Sequence, residues 1–404
     1  MGESITGRNI IVIGQQPWDT EIGSNCKNIA IELSKHNKVL YINSPLDRVT
    51  LLRSKNDAKT QTRLDIIKGK SDGLIKISEN LWNYYPDCIV ESINWIQSTF
   101  IFSIFNYYNN KKFARSIKKA IEKLNFKDFI LFNDSEIFKG YYLTDLLKPS
   151  LSVYYSRDYM IAVDYWKKHG EKLEPKLIAK NDLCTANSTY LADYCKQYNP
   201  YSFYVGQGCD LSIFYPEKKE TLPGNLNNIK KPIIGYVGAL QSIRLDKNII
   251  SHIASSRPDW SVVLVGPEDD LFKASDLHQF DNVFFEGMKP ISELPAYVNA
   301  FDICINPQLV NMVTIGNYPR KIDEYLAVGK PTVATHTSTM EVFNGYVYLA
   351  KSKEDYITMI EKALAENTPI LQEGRRNFAL QHTWENSVTE ISNAIRSKEA
   401  KLLG

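Results

Sequence analysis

Short apolar runs alternate with amphipathic, helix-like segments along the first half of the chain. Residues 9–13 (NIIVI) form a continuous apolar run before Gly14, which is typical of a strand buried on both faces of a parallel sheet. Residues 25–36 follow as a predicted helix, and residues 39–42 as the next strand. Later in this half, strands are predicted at residues 129–133, 151–155, 182–186 and 202–205, and helices at 137–147 and 190–197. The pattern predicts a first parallel α/β domain.

The same alternation restarts in the second half. Strands are predicted at residues 233–237, 261–265, 283–285, 303–306 and 331–335, and helices at 247–255, 291–299, 320–328, 353–365 and 384–398. Two successive blocks of this kind predict an α/β protein made of two doubly wound, Rossmann-like domains. We expect these domains to face a central cleft, which is the default position for a ligand.

A polar segment separates the two blocks. Residues 217–231 carry two charged clusters, one proline, one glycine and three asparagines, a composition typical of an interdomain linker. We therefore predict a first domain at residues 1–215, a linker at 216–230 and a second domain at 231–383. The first domain is the expected acceptor domain, and the second is the expected nucleotide-sugar domain on the resemblance given below.

Composition excludes several classes of protein. Of 404 residues, 44% are hydrophobic and 23% are charged, as in a soluble globular protein, and the net charge of +2 argues against a nucleic-acid partner. The six cysteines form no CxxC pair, which favours reduced thiols in a cytosolic protein over a metal site. The N-terminal residues do not resemble a signal peptide, and no apolar run approaches the roughly 20 residues of a membrane span. We expect a cytoplasmic location.

Aromatic residues crowd residues 82–108, and a group of lysines and arginines follows them at 111–119. Aromatic side chains beside a basic helix are typical of a surface that touches a membrane interface. An ordinary domain core followed by a solvated helix face explains the same residues, and we favour it because the aromatics follow no single helical stripe. Peripheral contact with the inner face of the cell membrane stays the alternative.

Polar residues end two predicted strands of the first half. Asn133 and Asp134 follow one strand, and residues 156–158 (Ser-Arg-Asp) follow the next. Parallel α/β sheets expose their chemistry at such strand ends. Capping of a following helix by Asp134 or Asp158 explains the pattern equally well.

Two segments of the second half carry candidate binding residues. Residues 238–244 (GALQSIR) follow a strand, and a loop of small residues that leads to a cation can hold a diphosphate. Lys321 lies three residues before Glu324, so both face one side of a predicted helix. A lysine can neutralise a phosphate, and a carboxylate can accept two ribose hydroxyls. The simpler interpretation is an exposed ion pair, which stabilises a helix by only about 0.2 to 0.5 kcal/mol.

Four segments of the second half share a pattern with a known family. They are GYVGAL with Arg244, LVGPEDD at 264–270, residues 284–307, and PRKIDEYLAVGKPTVAT at 319–335. In this order they resemble the nucleotide-sugar domain of GT-B glycosyltransferases, specifically the large retaining group 1 (family 4-like) that includes teichuronic-acid and capsule-type transferases. HTWENS at 382–387 resembles that family's closing helix, which crosses back to the first domain. The first half is similar mainly in architecture.

The resemblance implies roles for particular residues. Glu324 matches the carboxylate that holds the ribose hydroxyls, and Arg244 falls where the family has a cation on the donor diphosphate. Lys321 matches a second cation in one subgroup. The remaining donor-binding residues that the resemblance implies are Gly238 and Gly266 in the two loops, Met288 beside the base, and Asn317 and Tyr318 beside the sugar and phosphate. Asp158, or a polar group in the loop at residues 15–23, is the candidate for acceptor contact.

The sequence departs from the family pattern at two positions. Ala239 stands where the family often has an arginine, and Gly316 stands where it often has a second glutamate. We predict Arg244, Lys321 and Asp158 as the catalytic residues, Asp158 from its place at a polar strand end. The resemblance implies that the reaction proceeds with retention and without a metal.

The predicted function is transfer of a sugar from a UDP- or GDP-sugar to a saccharide or lipid-linked acceptor, with no other bound cofactor. Two alternatives remain open from the sequence. A nucleotide-sugar epimerase uses the same two-domain fold but needs no acceptor. A non-catalytic scaffold of an assembly complex would not bind a nucleoside diphosphate.

Overall fold

The computed structural model describes residues 4–20, 23–54, 56–214 and 223–403, and it divides into two compact units. The first unit comprises Met1–Gly206 together with Trp384–Gly404, and the second comprises Gln207–Thr383. We predicted that the first domain ends at residue 215; part of the predicted linker at 216–230 lies outside the described residues. The chain enters the second unit after Gly206 and returns to the first at Trp384.

The first unit is built on a mostly parallel sheet. Its strands are β1 (Asn9–Gly14), β2 (Lys38–Asn43), β3 (Leu46–Asp47), β4 (Leu74–Ser78), β5 (Leu81–Tyr84), β6 (Ile89–Val90), β7 (Ile130–Asp134), β8 (Leu151–Ser156), β9 (Leu183–Ala186) and β10 (Ser202–Tyr204). Among the described residues, eight of them form one sheet in the order β10-β9-β8-β7-β1-β2-β5-β4, and β3 pairs with β6. Only the β4–β5 pair of the large sheet is antiparallel.

Helices cover both faces of this sheet. They are α1 (Asn25–Leu33), α2 (Arg48–Arg53), α3 (Ala58–Ile67), α4 (Thr99–Leu124), α5 (Leu143–Leu147), α6 (Asp164–Lys180) and α7 (Thr189–Lys196). Successive side chains of β1 point to opposite faces, so Ile10 and Val12 enter one core while Ile11 and Ile13 enter the other. Burial on both faces explains why the β1 sequence is a continuous apolar run.

The predicted helix at residues 137–147 is wrong over its first half, because only Leu143–Leu147 is helical. In a helix, the carbonyl of Phe138 would accept a hydrogen bond from the backbone N–H of Tyr142. Instead, the side-chain amides of Asn106 and Asn110 on α4 donate to the Phe138 carbonyl at 2.8 and 3.0 Å. The backbone N–H of Tyr142 donates to the side-chain oxygen of Asn110 at 3.0 Å. Tertiary hydrogen bonds therefore replace the helical ones.

The second unit repeats the architecture with a fully parallel sheet. Its strands are β11 (Ile233–Val237), β12 (Ser261–Val265), β13 (Val283–Gly287), β14 (Ile303–Asn306), β15 (Thr332–Thr335) and β16 (Tyr348–Ala350). Its helices are α8 (Lys247–Ser256), α9 (Asp270–Lys273), α10 (Leu294–Ala300), α11 (Lys321–Ala327), α12 (Lys353–Glu366) and α13 (Pro369–Ala379). The strands lie in the order β13-β12-β11-β14-β15-β16, which places β11 near the centre of the sheet.

The last helix, α14 (Trp384–Leu403), belongs to the first unit. Its apolar residues Val388, Ile391 and Ile395 pack in the same core cluster as β1 and α1. Two parallel α/β sheets confirm the predicted fold class. Strands β3, β4, β5, β6 and β16 and helices α2, α3, α6, α9 and α13 were not predicted from the sequence.

The centre of β11 contains a glycine for a steric reason. A Cβ atom added at Gly235 would lie 2.0 Å from the ring of Phe301, which is buried at the end of α10. We expect Gly235→Ala to lower the free energy of unfolding by about 1 to 3 kcal/mol, because the ring cannot move within a packed core. Thermal and urea unfolding will measure this change.

Gly374→Ala is the matched control. Gly374 lies inside α13, and an added Cβ atom would meet nothing within 4 Å. This variant should be more stable than the parent protein by about 0.5 to 1 kcal/mol. Equal stability of the two variants would contradict the steric argument.

Candidate functional site

A cavity of about 400 Å³ lies at the carboxyl ends of the central strands of the second sheet. Six of the predicted donor-binding residues line it: Gly238, Arg244, Asn317, Tyr318, Lys321 and Glu324. Gly266 and Met288 are not among the lining residues. Met288 directly follows β13, and 80% of its side chain is exposed. The structure thus brings together residues that are more than 80 positions apart in the chain.

Glycines lie at three neighbouring strand ends, and one of them, Gly238, lines the cavity. The backbone N–H of Gly238 donates to the carbonyl of Val265 at 2.9 Å, and that of Gly266 donates to the carbonyl of Gly287 at 2.9 Å. Gly238 and Gly266 have φ angles of +142° and +148°, which disfavour any residue with a side chain. A Cβ atom at Gly266 would lie 2.0 Å from the carbonyl oxygen of Gly238. Gly266 therefore allows the loop after β12 to pack directly against the loop after β11.

Lys321 begins helix α11 and points toward the β11 loop. Its ammonium group hydrogen-bonds to the hydroxyl of Tyr236 and lies 4.0 Å from the centre of that ring. Among the described residues, Lys321 and Glu324 form no ion pair, so the simpler interpretation of their spacing is wrong. The lysine is held over an aromatic ring, and the carboxylate remains available.

Glu324 lies one turn after Lys321, and within the described part of the chain no side-chain hydrogen bond involves its carboxylate. Burial raises the pKa of Glu324, whereas the nearby charges of Arg320 and Lys321 lower it, and the net shift is upward. A half-buried carboxylate with no hydrogen-bond donor is costly to keep ionised. Two hydroxyl donors from a ligand would remove that cost.

The cavity carries an excess of positive charge. Its lining contains three cationic side chains (Arg244, Arg320 and Lys321) and one carboxylate, that of Glu324. None of the three cations forms an ion pair with a described carboxylate. Positive charge that no protein group neutralises favours an anionic ligand such as a diphosphate.

Helix α11 is fixed by residues that point away from the cavity. Asp323 is fully buried, and its Oδ1 lies 2.6 Å from Nδ1 of His382, while its Oδ2 accepts from the Cys209 thiol at 3.4 Å. Burial raises the pKa of Asp323, and the contact with His382 opposes this rise. The hydroxyl of Tyr318 also lies 3.3 Å from Nδ1 of His382, so this side chain is engaged in the network.

Sequence reasoning missed Asn306, the last residue of β14. Its side chain is 3% exposed and lines the cavity, and its Nδ2 atom has no hydrogen-bond partner among the described residues. A buried amide donor without a partner is a candidate ligand contact. A polar residue at the end of an otherwise apolar strand was the available signal. Tyr236 and Arg320 were also missed.

The polar strand ends of the first unit form a separate network. The Arg157 guanidinium donates to Asp134 at 2.9 Å, to Asp158 at 2.8 Å and to the side chain of Gln15 at 2.7 Å. Burial raises the pKa of Asp134, and Arg157 lowers it. Neither Asp134 nor Asp158 caps a described helix, so the capping interpretation is wrong. The structure places the acceptor candidate Asp158 in the first unit, with 41% of its side chain exposed.

Comparison with known proteins finds a family match within the second unit. Residues 231–366 match the family model of glycosyl transferases group 1. A Bacillus subtilis (strain 168) protein assigned to teichuronic acid biosynthesis, the glycosyltransferase TuaH, is 30% identical to this chain over 187 residues. That match covers 45% of this chain and 47% of TuaH, so it spans about half the length of each.

Solved structures show the fold of the whole chain. Sucrose-phosphate synthase from Thermosynechococcus elongatus superposes with a TM-score of 0.65 at 15% identity, over 98% of this chain and 100% of that one. Anabaena HepE, in complex with UDP and glucose, superposes with a TM-score of 0.63 at 14% identity, over 96% of this chain and 100% of that one. The predicted GT-B fold is therefore confirmed.

The electrostatic position of Glu324 has a measurable consequence for stability. Because its pKa is higher in the folded than in the unfolded chain, ionised Glu324 destabilises the fold once the pH exceeds the unfolded pKa. The destabilisation is complete above the native pKa. We expect Glu324→Gln to raise the free energy of unfolding at neutral pH by about 0.5 to 2 kcal/mol, and the gap to close as the pH falls.

Urea unfolding across a pH series will measure this gap. The control is Glu293→Gln, since Glu293 is exposed and forms no ion pair with a described residue. A Glu324→Gln variant that is less stable than the parent at neutral pH would show that the carboxylate has a structural role instead.

Proposed function

We propose, because residues 231–366 match the family model of glycosyl transferases group 1, that the chain transfers a sugar from a nucleoside-diphosphate sugar to an acceptor. The observation that carries the proposal is the cavity at the end of β11, whose lining combines three cationic side chains, none ion-paired with a described carboxylate, with the one carboxylate of Glu324. A nucleoside diphosphate has the complementary chemistry, since its phosphates are anionic and its ribose offers two hydroxyl donors.

Arg244 and Lys321 would bind the diphosphate of the donor. In the reaction, the bond between the anomeric carbon and the diphosphate oxygen breaks, and negative charge develops on that oxygen. Cations placed beforehand next to this oxygen stabilise the transition state more than the ground state. The contact of Lys321 with Tyr236 holds the ammonium group beside Gly238, where an added Cβ atom would lie 2.7 Å from it.

Glu324 would accept the hydroxyl groups of the donor ribose. Asn317 and Tyr318 would present backbone groups to the sugar and phosphate, since the Tyr318 hydroxyl already contacts His382. Met288 follows the Gly287 turn, and its backbone would contact the base. The buried Nδ2 atom of Asn306 supplies a further donor to the ligand.

The acceptor is proposed to be a saccharide or a lipid-linked oligosaccharide that the first unit binds. Asp158 is the candidate contact, because Arg157 fixes its carboxylate at the carboxyl edge of the first sheet. The acceptor hydroxyl would form the new bond to the anomeric carbon and release its proton to a phosphate oxygen of the donor, with retention of configuration. No step in this scheme uses a metal.

TuaH is assigned to teichuronic acid biosynthesis, and this supports surface polysaccharide as the product class. HepE has been crystallised with UDP-glucose, and this supports a UDP-sugar as the first donor to test, ahead of a GDP-sugar. Nucleotide sugars are cytoplasmic, so we propose that the reaction occurs in the cytoplasm or at the inner face of the membrane.

The catalytic roles of Arg244 and Lys321 can be tested by mutation. We expect Arg244→Ala and Lys321→Ala each to lower kcat about 10² to 10³-fold, as removal of a transition-state donor does in other enzymes. Turnover with a panel of UDP- and GDP-sugars and a saccharide acceptor will measure this. Lys362→Ala is the control, because Lys362 is an exposed lysine on α12 of the same unit.

Incubation with donor alone separates transfer from epimerisation. A changed sugar nucleotide without acceptor would favour the epimerase, and parent-like turnover of both folded variants would overturn the site.

Nucleotide binding tests Glu324 separately. Glu324→Ala should weaken UDP binding about 10- to 100-fold, since two hydrogen bonds to a charged group are lost. Isothermal titration calorimetry will measure the Kd, and thermal unfolding will establish that the variant folds. A parent protein that binds neither UDP nor GDP would favour the non-catalytic scaffold.

A further inference from the structure

Trp95 and the first turns of helix α4 present an exposed apolar surface. Its members are Trp95, Phe100, Ile101, Ile104, Phe105 and Tyr108, which we call the apolar surface. Trp95 and Phe100 expose 75% and 76% of their area. Phe102, Phe113 and Ile117 on the opposite side of the same helix are buried, so that side packs in the core of the first unit.

The next turns of α4 carry positive charge. Lys111, Lys112, Arg115, Lys118 and Lys119 lie there, and we call them the cationic surface. Lys112 pairs with Glu91 and Lys119 with Asp87, whereas the other three form no ion pair with any described residue. The net charge of the whole chain is only +2, so this concentration of cations is local.

The two surfaces lie on one side of the helix. Residues 101, 104, 108, 112, 115 and 119 recur at intervals of three and four, which keeps them on a single helical face. At a rise of about 1.5 Å per residue, the centres of the two surfaces are about 16 Å apart along the axis. A flat partner can therefore touch both at once.

The apolar surface continues beyond the helix. Trp95 lines a cavity of about 320 Å³ together with Ile93, Phe138 and Tyr165. Tyr165 is itself 54% exposed. Five members of the apolar surface also lie within residues 100–108 of one helix, unlike the single exposed hydrophobic residues that are normal on protein surfaces.

We propose that Trp95 and helix α4 dock the first unit on an anionic lipid bilayer. The apolar surface would enter the interfacial region, where tryptophan and tyrosine are favoured, and the cationic surface would lie over the headgroup phosphates. A second copy of this chain that pairs through the same surface would offer the cations no acidic counterpart. Of the helices described, none is long and apolar enough to cross a membrane, so the docking is peripheral.

This proposal does not depend on the donor site and corrects the interpretation favoured from the sequence. The aromatic residues at 82–108 divide into two sets. Trp82, Tyr84 and Phe102 pack in the interior, as the core interpretation predicts. Trp95, Phe100, Phe105 and Tyr108 do not.

Vesicle co-sedimentation with the full-length protein tests the proposal. The parent protein should sediment with vesicles of phosphatidylcholine mixed with phosphatidylglycerol and much less with phosphatidylcholine alone. Added salt should weaken the binding because the headgroup charges are screened. Arg115→Glu combined with Lys118→Glu should lower the partition coefficient at least about tenfold. Lys172→Glu with Lys176→Glu, two exposed lysines of α6 in the same unit, is the matched control.

The apolar surface has its own variant. Phe100→Ser with Ile104→Ser should lower partitioning about tenfold or more, since two apolar side chains no longer enter the membrane interface. Ile370→Ser, at a residue 83% exposed in the second unit, should change nothing. Thermal unfolding and nucleotide binding, which these positions do not touch, will show that each variant is folded.

Fluorescence locates the contact. Trp95 is the one tryptophan among the exposed large hydrophobic residues, so anionic vesicles should shift the emission of the parent protein to shorter wavelength. Trp95→Phe should abolish this shift. Binding that is equal for all variants, no binding to anionic vesicles, or a dimer that the Phe100→Ser and Ile104→Ser changes dissociate would each overturn the proposal.

Discussion

The hydroxyl of Tyr325 and the backbone of Val237 set the geometry of the second unit. Strand β14 pairs with β11 only at Ile234 and Gly235, so the end of β11 lacks a strand partner on that side. Tyr325 takes this place: its hydroxyl accepts from the Val237 N–H at 2.9 Å and donates to the Val237 carbonyl at 3.2 Å. One side chain thus satisfies both backbone groups at the point where the Gly238 loop begins, and it ties helix α11 to that loop.

The helical period of α11 places its ligand-binding residues on one face and its structural residues on another. Lys321 and Glu324 face the cavity, while Asp323 and Tyr325 point into the protein. Asp323 is a buried carboxylate, and His382 and Cys209 hold it from the two ends of the segment that makes up the second unit. Because a buried polar side chain needs its hydrogen-bond partners, these contacts favour one rotation of the helix. That rotation keeps the Glu324 carboxylate at the cavity, where no described side chain donates a hydrogen bond to it.

Periodicity predicted most strands of both sheets, because strands such as β1 and β11 are buried on two faces and form apolar runs, but it missed β4, β5 and β16. It failed at residues 137–147, where Asn106 and Asn110 of a distant helix take over the backbone hydrogen bonds. The roles of the six predicted residues that line the cavity followed from the family resemblance, since spacing alone also allowed a Lys321–Glu324 ion pair. Asn306 and the contact of Gly266 with Gly238 depend on how strand ends meet, which no local pattern contains.

Helix α4 shows why the sequence left two interpretations open for the aromatic segment. Its first three turns are apolar on both sides, so the helical period identifies no single face there. A helix that is apolar all round must be covered on every side or lie in lipid. One side of the helix is covered because Phe102 packs in the core, whereas Phe100 and Phe105 on the other side remain exposed. Because cations follow on that same exposed side, a covering surface must accept apolar contact and positive charge together. An anionic bilayer meets both requirements, whereas the interior of another protein domain would have to bury the lysines.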